Sequence, residues 1–299
     1  MDVIVVVGPT ASGKSGLGVA LAHALGGEVV NADSMQLYRG MDIGTAKLTE
    51  AERDGVPHHL LDIWPVTAEA NVAEYQQRAR AELDRLRAAG RPPLLVGGSG
   101  LYVRAVLENF EFPGTDPELR ARLEAELAAL GAPQLHRRLA QRDPAAAAKI
   151  LPSNGRRIVR ALEVVELTGG FTAALPEPEP AYPSVQVGLD LDTALLDERI
   201  AHRVDRMWDA GFVEEVRALE AAGLRGGRTA SRALGYQQVL RFLAGDSTED
   251  EAKAATVQGT RRFVRRQRSW FRRDPRIVWL DATRPDLVDA ALDVVKAGP

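Results

Sequence analysis

The amino-acid sequence predicts an α/β protein, in which a parallel β-sheet core is interrupted by a helical insertion domain. Short apolar runs, mostly β-branched, alternate with helical patterns near the amino terminus, which is typical of strands buried on both faces of a parallel sheet. A glycine-rich turn separates the first such strand from the first helix. With 299 residues, 45% of them hydrophobic, the chain can bury a large core.

The amino-terminal elements alternate between strand and helix. Val3–Val7 is an unbroken apolar run, and Gly26 and Gly27 end the helical pattern that follows it. The predicted elements are a strand at residues 3–7, a helix at 14–25, a strand at 28–31, a helix at 72–89 and a strand at 94–96. This alternation predicts that the strands pair in parallel.

The middle of the chain contains helical patterns and no strand pattern. Asp116-Pro117 and Asp143-Pro144 each place a helix N-cap beside a proline at the first helical position. A further helix is predicted at 156–167, and the proline-rich residues 175–183 predict a stiff, extended connector. Later core strands are predicted at 185–191 and 277–280. We therefore assign residues 1–111 and 187–299 to the core and residues 112–186 to the insertion domain.

Composition excludes several classes of protein. The chain has 0 cysteines, which excludes disulfides and thiolate-bound zinc or iron–sulfur sites. No apolar run approaches the roughly 20 residues of a membrane span, and the first run is too short for a signal-peptide core. We therefore expect a cytoplasmic monomer with no membrane partner. The net charge of −3 leaves nucleic-acid binding open.

The glycine-rich turn satisfies the pattern G-x-x-x-x-G-K-[ST], between a strand and a helix as that motif requires. This motif is typical of the P-loop NTPase-like core, in which loop N–H groups and a helix N-terminus bind phosphate. Lys14 supplies a positive charge, and the Ser15 hydroxyl is placed to ligate Mg²⁺. The predicted phosphate-binding residues are Gly8, Pro9, Thr10, Ala11, Ser12, Gly13, Lys14 and Ser15.

The position of the nearest acid argues against ATP hydrolysis. ATPases and GTPases usually hold Mg²⁺ with a carboxylate at the end of a core strand. The strand at 94–96 ends in Gly97-Gly98-Ser99-Gly100 and offers no acid, whereas Asp33 follows the strand at 28–31. Asp33 is therefore expected at the carboxyl edge of the sheet, beside the phosphate loop.

Seven segments of the chain resemble one family. They are residues 8–15, 31–47, 58–62, 95–102, 154–163, 231–237 and 265–272. In this order and together they are similar to the tRNA dimethylallyltransferases. The resemblance implies that the P-loop binds the diphosphate of dimethylallyl diphosphate, with Mg²⁺. It also implies that the dimethylallyl group is transferred to the exocyclic N6 amine of the adenosine 3′-adjacent to the anticodon in tRNA, with release of diphosphate.

The resemblance also assigns roles to individual residues. It implies that Asp33 deprotonates the attacking amine, that Ser99 positions this amine, and that Arg232 lies beside the leaving diphosphate. Ser99 stands where the family more often has threonine, and this change keeps the hydroxyl. The residues that the resemblance implies in tRNA binding are Asp33, Ser34, Met35, Gln36, Ser99, Arg156, Arg157, Arg160, Arg232, Gly235, Tyr236 and Gln237.

Residues 261–273 contain seven arginines and no acid. On a helix, one stripe of them would face phosphates while a second stripe, Phe263, Gln267 and Trp270, would pack inward. The arginine stripe comprises Arg261, Arg265, Arg268 and Arg272. In an acidic protein, this local concentration of positive charge favours an RNA-binding surface.

Other functions remain compatible with the phosphate loop. An isopentenyltransferase acting on free adenine nucleotides would have little use for the arginines at 156–160 and 261–273. A P-loop small-molecule kinase predicts phosphate transfer from ATP and leaves the same arginines unexplained. An RNA-binding protein with a degenerate loop predicts no turnover, which the intact Lys14, Ser15 and Asp33 argue against.

Overall fold

The computed structural model describes residues 2–171 and 179–298, so part of the predicted connector, residues 175–178, lies outside the described residues. The chain divides into two compact units, of which one is Met1–Glu108 with Pro180–Pro299 and the other is Asn109–Glu179. The predicted insertion therefore begins slightly earlier than residue 112 and ends before residue 186. Its end differs because the returning strand already begins at Ser184 and belongs to the core sheet.

The core unit contains a six-stranded sheet in the described residues, and every pairing in it is parallel. The strands are β1 (Val3–Val7), β2 (Glu28–Asn31), β3 (His58–His59), β4 (Pro93–Gly97), β5 (Ser184–Asp190) and β6 (Ile277–Asp281). Their spatial order is β3-β2-β4-β1-β5-β6. The predicted parallel core is confirmed, and the sheet additionally contains the two-residue edge strand β3.

The central strand β1 shows why its sequence is an unbroken apolar run. Val3, Val5 and Val7 pack into one hydrophobic cluster, whereas Ile4 and Val6 pack into a second cluster on the opposite face. All five residues are at most 5% exposed. Successive side chains of a strand point to opposite faces, so a strand covered on both sides needs apolar residues at every position.

Helices cover both faces of this sheet. Those before the insertion are α1 (Lys14–Leu25), α2 (Glu50–Arg53), α3 (Val72–Ala88) and α4 (Gly100–Leu107). Those after it are α9 (Thr193–Asp209), α10 (Phe212–Ala221), α11 (Tyr236–Leu243), α12 (Glu249–Phe271) and α13 (Leu287–Ala297). Within residues 2–171 and 179–298, no helix combines the length and apolar character that crossing a membrane requires.

The insertion unit is helical, as the sequence predicts. Its helices are α5 (Pro117–Leu130), α6 (Ala132–Arg142), α7 (Pro144–Ala148) and α8 (Gly155–Thr168). Asp116 and Asp143 accept hydrogen bonds from the first turns of α5 and α7, which confirms both as N-caps. Inside this unit, Glu163 is fully buried between Arg120 and Arg160. Burial alone would raise the pKa of Glu163, but these two hydrogen-bonded cations lower it.

Because the end of β4 lies so close to the chain after β2, substitution of Gly97 should destabilise the fold. A Cβ at Gly97 would overlap the backbone of Ala32. Gly97→Ala should therefore separate the two strand ends and lower the free energy of unfolding by about 1–3 kcal/mol. Urea denaturation measures this change. Gly16→Ala is the matched control, because Gly16 lies exposed in α1 with no atom near its Cβ position. An equal loss in both variants would contradict the packing argument.

Candidate phosphate-binding and catalytic site

The candidate site lies at the carboxyl edge of the sheet, where three strands end side by side. The phosphate loop follows β1, Asp33 follows β2 and Ser99 follows β4. β4 pairs with both β1 and β2, so these three segments are neighbours. The Ser99 N–H also donates to the Ala32 carbonyl at 3.2 Å. The predicted position of Asp33, beside the loop, follows from this pairing.

The loop conformation leaves several hydrogen-bond donors free for an anion. Ala11 and Gly13 have positive φ angles of 68° and 92°, which turn the chain around the loop interior. Within residues 2–171 and 179–298, the N–H groups of Gly13, Lys14 and Ser15 have no protein acceptor. The buried Ser12 hydroxyl likewise has no partner there. Such unsatisfied donors at the start of α1 are the physical requirement for a phosphate site.

A glutamine from α12 holds the loop against the end of β4. The Thr10 N–H donates to Gln267 Oε1 at 2.9 Å, and Gln267 Nε2 donates to the Gly98 carbonyl at 2.9 Å. Gln267 is only 5% exposed, which confirms the predicted inward face of this helix. The contact of Gln267 with the phosphate loop was not predicted from the sequence, because its two partners come from segments more than 150 residues away.

Two cations and one carboxylate meet at the loop. Burial lowers the pKa of Lys14 to about 8; the Asp33 carboxylate opposes this shift, and the Arg203 guanidinium adds to it. Burial also lowers the pKa of Arg203, and Asp33 again opposes the shift. Arg203 Nη2 donates to the Thr45 carbonyl at 3.2 Å. A partly buried, positively charged pair beside free N–H donors is suited to a diphosphate.

Sequence reasoning missed Arg203, although one signal for it exists. On α9, the apolar stripe that faces the core comprises Leu196, Ile200, Val204 and Met207. Arg203 lies one helical turn from both Ile200 and Met207, so a charge interrupts the stripe. A cation on the buried face of an amphipathic helix needs a partner, and here the partners lie at the site.

The Asp33 carboxylate is held in place and still has one free oxygen. Asp33 Oδ1 accepts from the Met35 N–H at 3.0 Å, and the Asp33 N–H donates to Asn31 Oδ1 at 3.0 Å. Within the described part of the chain, Asp33 Oδ2 has no hydrogen-bond partner. Ser99 Oγ accepts from the Ser34 N–H at 3.0 Å and donates to Ser34 Oγ at 3.1 Å. Asp33 and Ser99, two of the three residues that the resemblance assigns to catalysis, therefore lie on adjacent segments.

A cavity of about 120 Å³ opens beside these groups. Its polar lining residues include Thr10, Asp33, Ser34, Ser99 and Arg203, and Met35 lines it beside Ser34. Its apolar part is lined by residues from α9 to α12, including Ile200, Val204, Met207, Phe212, Tyr236 and Phe263. An apolar cavity of roughly 150 Å³ holds one benzene molecule, so this cavity is suited to an apolar group of about five or six carbons.

The structure separates the other predicted site residues into two groups. Gly235 and Tyr236 line the cavity, as expected for a substrate-contacting segment. Arg232 and Gln237 are exposed and do not line it, whereas Arg203 does, so a position of Arg232 beside the leaving diphosphate stays a prediction. Gln36 also lies outside it, because its side chain donates to the Thr45 and Ala46 carbonyls.

The predicted basic residues of the insertion unit are not equivalent. Arg156 and Arg157 are exposed near the start of α8. Arg160 instead donates to the buried Glu163 and to the Pro113 carbonyl at 2.7 Å. Arg160 therefore has a structural role within this unit, and RNA contact by all three residues stays a prediction.

The predicted arginine stripe on α12 is paired with acids that are distant in sequence. Arg261 and Arg265 lie 3.6 and 3.4 Å from Asp197, at the start of α9. Arg268 and Arg272 lie 3.0 and 2.7 Å from Asp190, at the end of β5. The two aspartates compensate part of the charge of the four arginines, because only the tertiary fold brings them together, and RNA binding by the stripe stays a prediction.

One glutamate braces the wall of the cavity. The Glu215 carboxylate accepts from the N–H groups of Asp42, Ile43 and Gly44 at 3.1, 2.6 and 3.2 Å. It also accepts from the Tyr236 hydroxyl at 2.6 Å. Burial and the Glu215 charge raise the pKa of Tyr236 well above its usual value, so the hydroxyl remains a donor. This brace joins the loop at 42–44, α10 and α11.

The fold and the site define the class of protein, a P-loop α/β enzyme with a phosphate site beside an apolar cavity. Residues 36–274 match the IPP transferase family. The chain is 75% identical over 296 residues to the tRNA dimethylallyltransferase of Salinispora arenicola, across 99% of this chain and 86% of that protein. It is 68% identical to the tRNA dimethylallyltransferase of Thermobifida fusca, across 98% of this chain and 94% of that protein. The chain belongs to the IPP transferase family.

Solved structures agree with this assignment. The tRNA isopentenylpyrophosphate transferase from Bacillus halodurans is 40% identical, with a TM-score of 0.72 over 99% of this chain and 95% of that one. A eukaryotic dimethylallyltransferase acting on tRNA is 25% identical, with a TM-score of 0.83 over 99% of this chain and 80% of that one. These similarities confirm the P-loop-like parallel core that the sequence predicts.

The lowered pKa of Lys14 predicts how donor binding depends on pH. Lys14 is charged below a pH of about 8 and neutral above it, whereas a terminal phosphate with a pKa of about 6 is already fully ionised. The affinity for dimethylallyl diphosphate should therefore fall as the pH rises from 7.5 to 9.5. Calorimetric titration without tRNA measures this fall. In Lys14→Met the affinity should be low and nearly independent of pH, and an unchanged alkaline fall would assign the titration to another group.

The Glu215 brace predicts a large loss of stability on truncation. Glu215→Ala leaves three backbone N–H groups and the Tyr236 hydroxyl without their acceptor, so the free energy of unfolding should fall by at least about 2 kcal/mol. Urea denaturation measures it. The control is Glu214→Ala on the same helix, whose exposed side chain lies 3.6 Å from Arg217; it should stay within about 0.5 kcal/mol. Equal effects would show that the brace contributes little.

Proposed function

We propose that this chain transfers the dimethylallyl group of dimethylallyl diphosphate to the exocyclic N6 amine of the adenosine 3′-adjacent to the anticodon in tRNA. The observation that carries the proposal is the arrangement of the cavity. A free carboxylate oxygen of Asp33 and the Ser99 hydroxyl line it, beside the phosphate loop. An apolar space sized for a five-carbon group extends from there.

The proposed reaction assigns each group a step. The amine nitrogen attacks the first carbon of the dimethylallyl group while the bond from that carbon to the diphosphate oxygen breaks. Asp33 accepts the proton that the amine loses, because an adenine amine is a poor nucleophile until it is deprotonated. Ser99 orients the amine by hydrogen bonding. The apolar wall keeps water away from the developing allylic charge.

The leaving diphosphate carries the charge that the site must stabilise. The free N–H groups of the loop, with Lys14 and Arg203, would stabilise the negative charge that develops on the phosphate oxygens. We propose Arg203, which lines the cavity, as a second arginine next to the leaving group in addition to Arg232.

We also propose that Mg²⁺ accompanies the diphosphate. Within the described residues no cluster of three histidine or acidic side chains could hold a metal alone. Mg²⁺ typically keeps several waters and binds substrate phosphates with only one or two protein ligands. Ser15, at the first turn of α1 beside the orphaned Ser12 hydroxyl, fits this role. The ion would neutralise charge on the phosphate oxygens.

For tRNA, the proposed contacts are the partly exposed cavity residues Ser34 and Met35, together with the exposed Arg156 and Arg157. The tRNA base must leave its stack to reach Asp33. We further propose a monomeric enzyme, whose cavity is lined by residues of the core unit alone, and a cytoplasmic location, where its tRNA substrate is found.

The decisive experiment is a competition between acceptors. The purified protein is incubated with radiolabelled dimethylallyl diphosphate, Mg²⁺, unmodified tRNA and AMP, and each product is measured. Label in one anticodon-loop adenosine of tRNA is the expected result. Label in AMP would instead favour the isopentenyltransferase acting on free nucleotides. Consumption of ATP in a parallel reaction, without prenyl transfer, would favour the kinase.

The assignment of Asp33 predicts a selective loss of rate. Asp33→Asn keeps the oxygen that accepts from Met35 but cannot take a proton at neutral pH, so kcat should fall by about 10²–10⁴-fold. The affinities for donor and tRNA should change only a few-fold. Asp54→Asn is the control, because Asp54 is an exposed residue paired with His23. Single-turnover rates measure both variants, and a normal rate in Asp33→Asn would remove Asp33 as the base.

A further inference from the structure

Burial divides the cavity into a mouth and a closed end. Asp33, Ser99 and Phe263 are partly exposed to solvent. Phe212 and Tyr236, which line the same cavity, are completely buried. A group that binds with its charged part at the phosphate loop would therefore direct its apolar part towards Phe212 and Tyr236.

The closed end is an aromatic wall with little freedom to move. The Phe212 ring packs edge-to-face on Trp208, with ring centroids 5.3 Å apart, and on Tyr236, with centroids 5.0 Å apart. The backbone at Gly44 and at Gly235 packs closely against the same ring. A Cβ at Gly44 would overlap the ring, and a Cβ at Gly235 would lie 3.0 Å from it. The ring therefore cannot retreat from the cavity without displacing backbone.

The Glu215 brace holds two parts of this wall. It binds the Gly44 N–H and the Tyr236 hydroxyl through one carboxylate oxygen, at 3.2 and 2.6 Å. Its second oxygen binds the two N–H groups that precede Gly44. The segments on either side of the Phe212 ring are therefore tied to the helix that carries Phe212.

We propose that Phe212 determines the length of the prenyl chain that the enzyme accepts, an inference that rests on the proposed function. A cavity of about 120 Å³ is comparable to one that holds six carbons. It can take the five carbons of dimethylallyl but not the ten of geranyl. A longer chain would have to pass through the space that the Phe212 ring fills, and overfilling a packed wall is unfavourable.

The test compares dimethylallyl diphosphate with geranyl diphosphate as donors to tRNA. In the wild-type enzyme, kcat/KM for geranyl diphosphate should be at least about 100-fold lower. Phe212→Ala should raise the ratio of kcat/KM for geranyl to that for dimethylallyl by at least about 10-fold. Because the alanine variant loses a buried ring and some stability, Phe212→Leu provides a milder form of the same test, with a smaller shift in the same direction.

Phe242→Leu is the matched control. Phe242 packs against the same hydrophobic cluster but does not line the cavity, so its loss should leave the donor ratio unchanged. Equal use of both donors by the wild type, or an unchanged ratio in folded Phe212 variants, would overturn the proposal. Absence of transfer from dimethylallyl diphosphate to tRNA by the wild type would instead overturn the proposed function. Affinity for inorganic diphosphate, measured in every variant, verifies that the phosphate site is intact.

Discussion

Parallel pairing of β4 with both β1 and β2 is the constraint on which the whole site depends. Parallel strands end at one edge, so a loop after β1, an acid after β2 and a hydroxyl after β4 become neighbours although they are far apart in sequence. The backbones come so close that a Cβ at Gly97 would overlap the backbone of Ala32. Gln267 then joins the first and third of these segments.

The electrostatics of the site follow from burial at this edge. Removing Lys14 and Arg203 from water disfavours their charged forms, and Asp33 partly compensates. The free N–H groups of the loop add further positive potential without adding a charge. A bound diphosphate would interact with all of these groups together. Without such a ligand their desolvation costs free energy, so the site is well suited to an anion.

The charge of a segment in this sequence depends on partners that are distant along the chain. The arginines of α12 appear uncompensated along the chain, but Asp190 and Asp197 pair with four of them in the structure. Conversely, Arg203 is a single charge in an amphipathic helix and was not predicted as a site residue, yet it lines the cavity. Local charge density predicts a surface only when the neighbouring elements contribute no opposite charge.

The parallel α/β core, the helical insertion and the phosphate loop could be predicted from the sequence, because each depends on local signals: unbroken apolar runs, Asp-Pro caps and one glycine-lysine motif. The position of Asp33 at the carboxyl edge could be predicted as well, since parallel strands end at one edge. The partners of Gln267 and Glu215 and the aromatic wall at Phe212 became visible only in the folded chain. Those contacts join residues up to 257 positions apart, and no periodicity in a single chain encodes which distant surfaces meet.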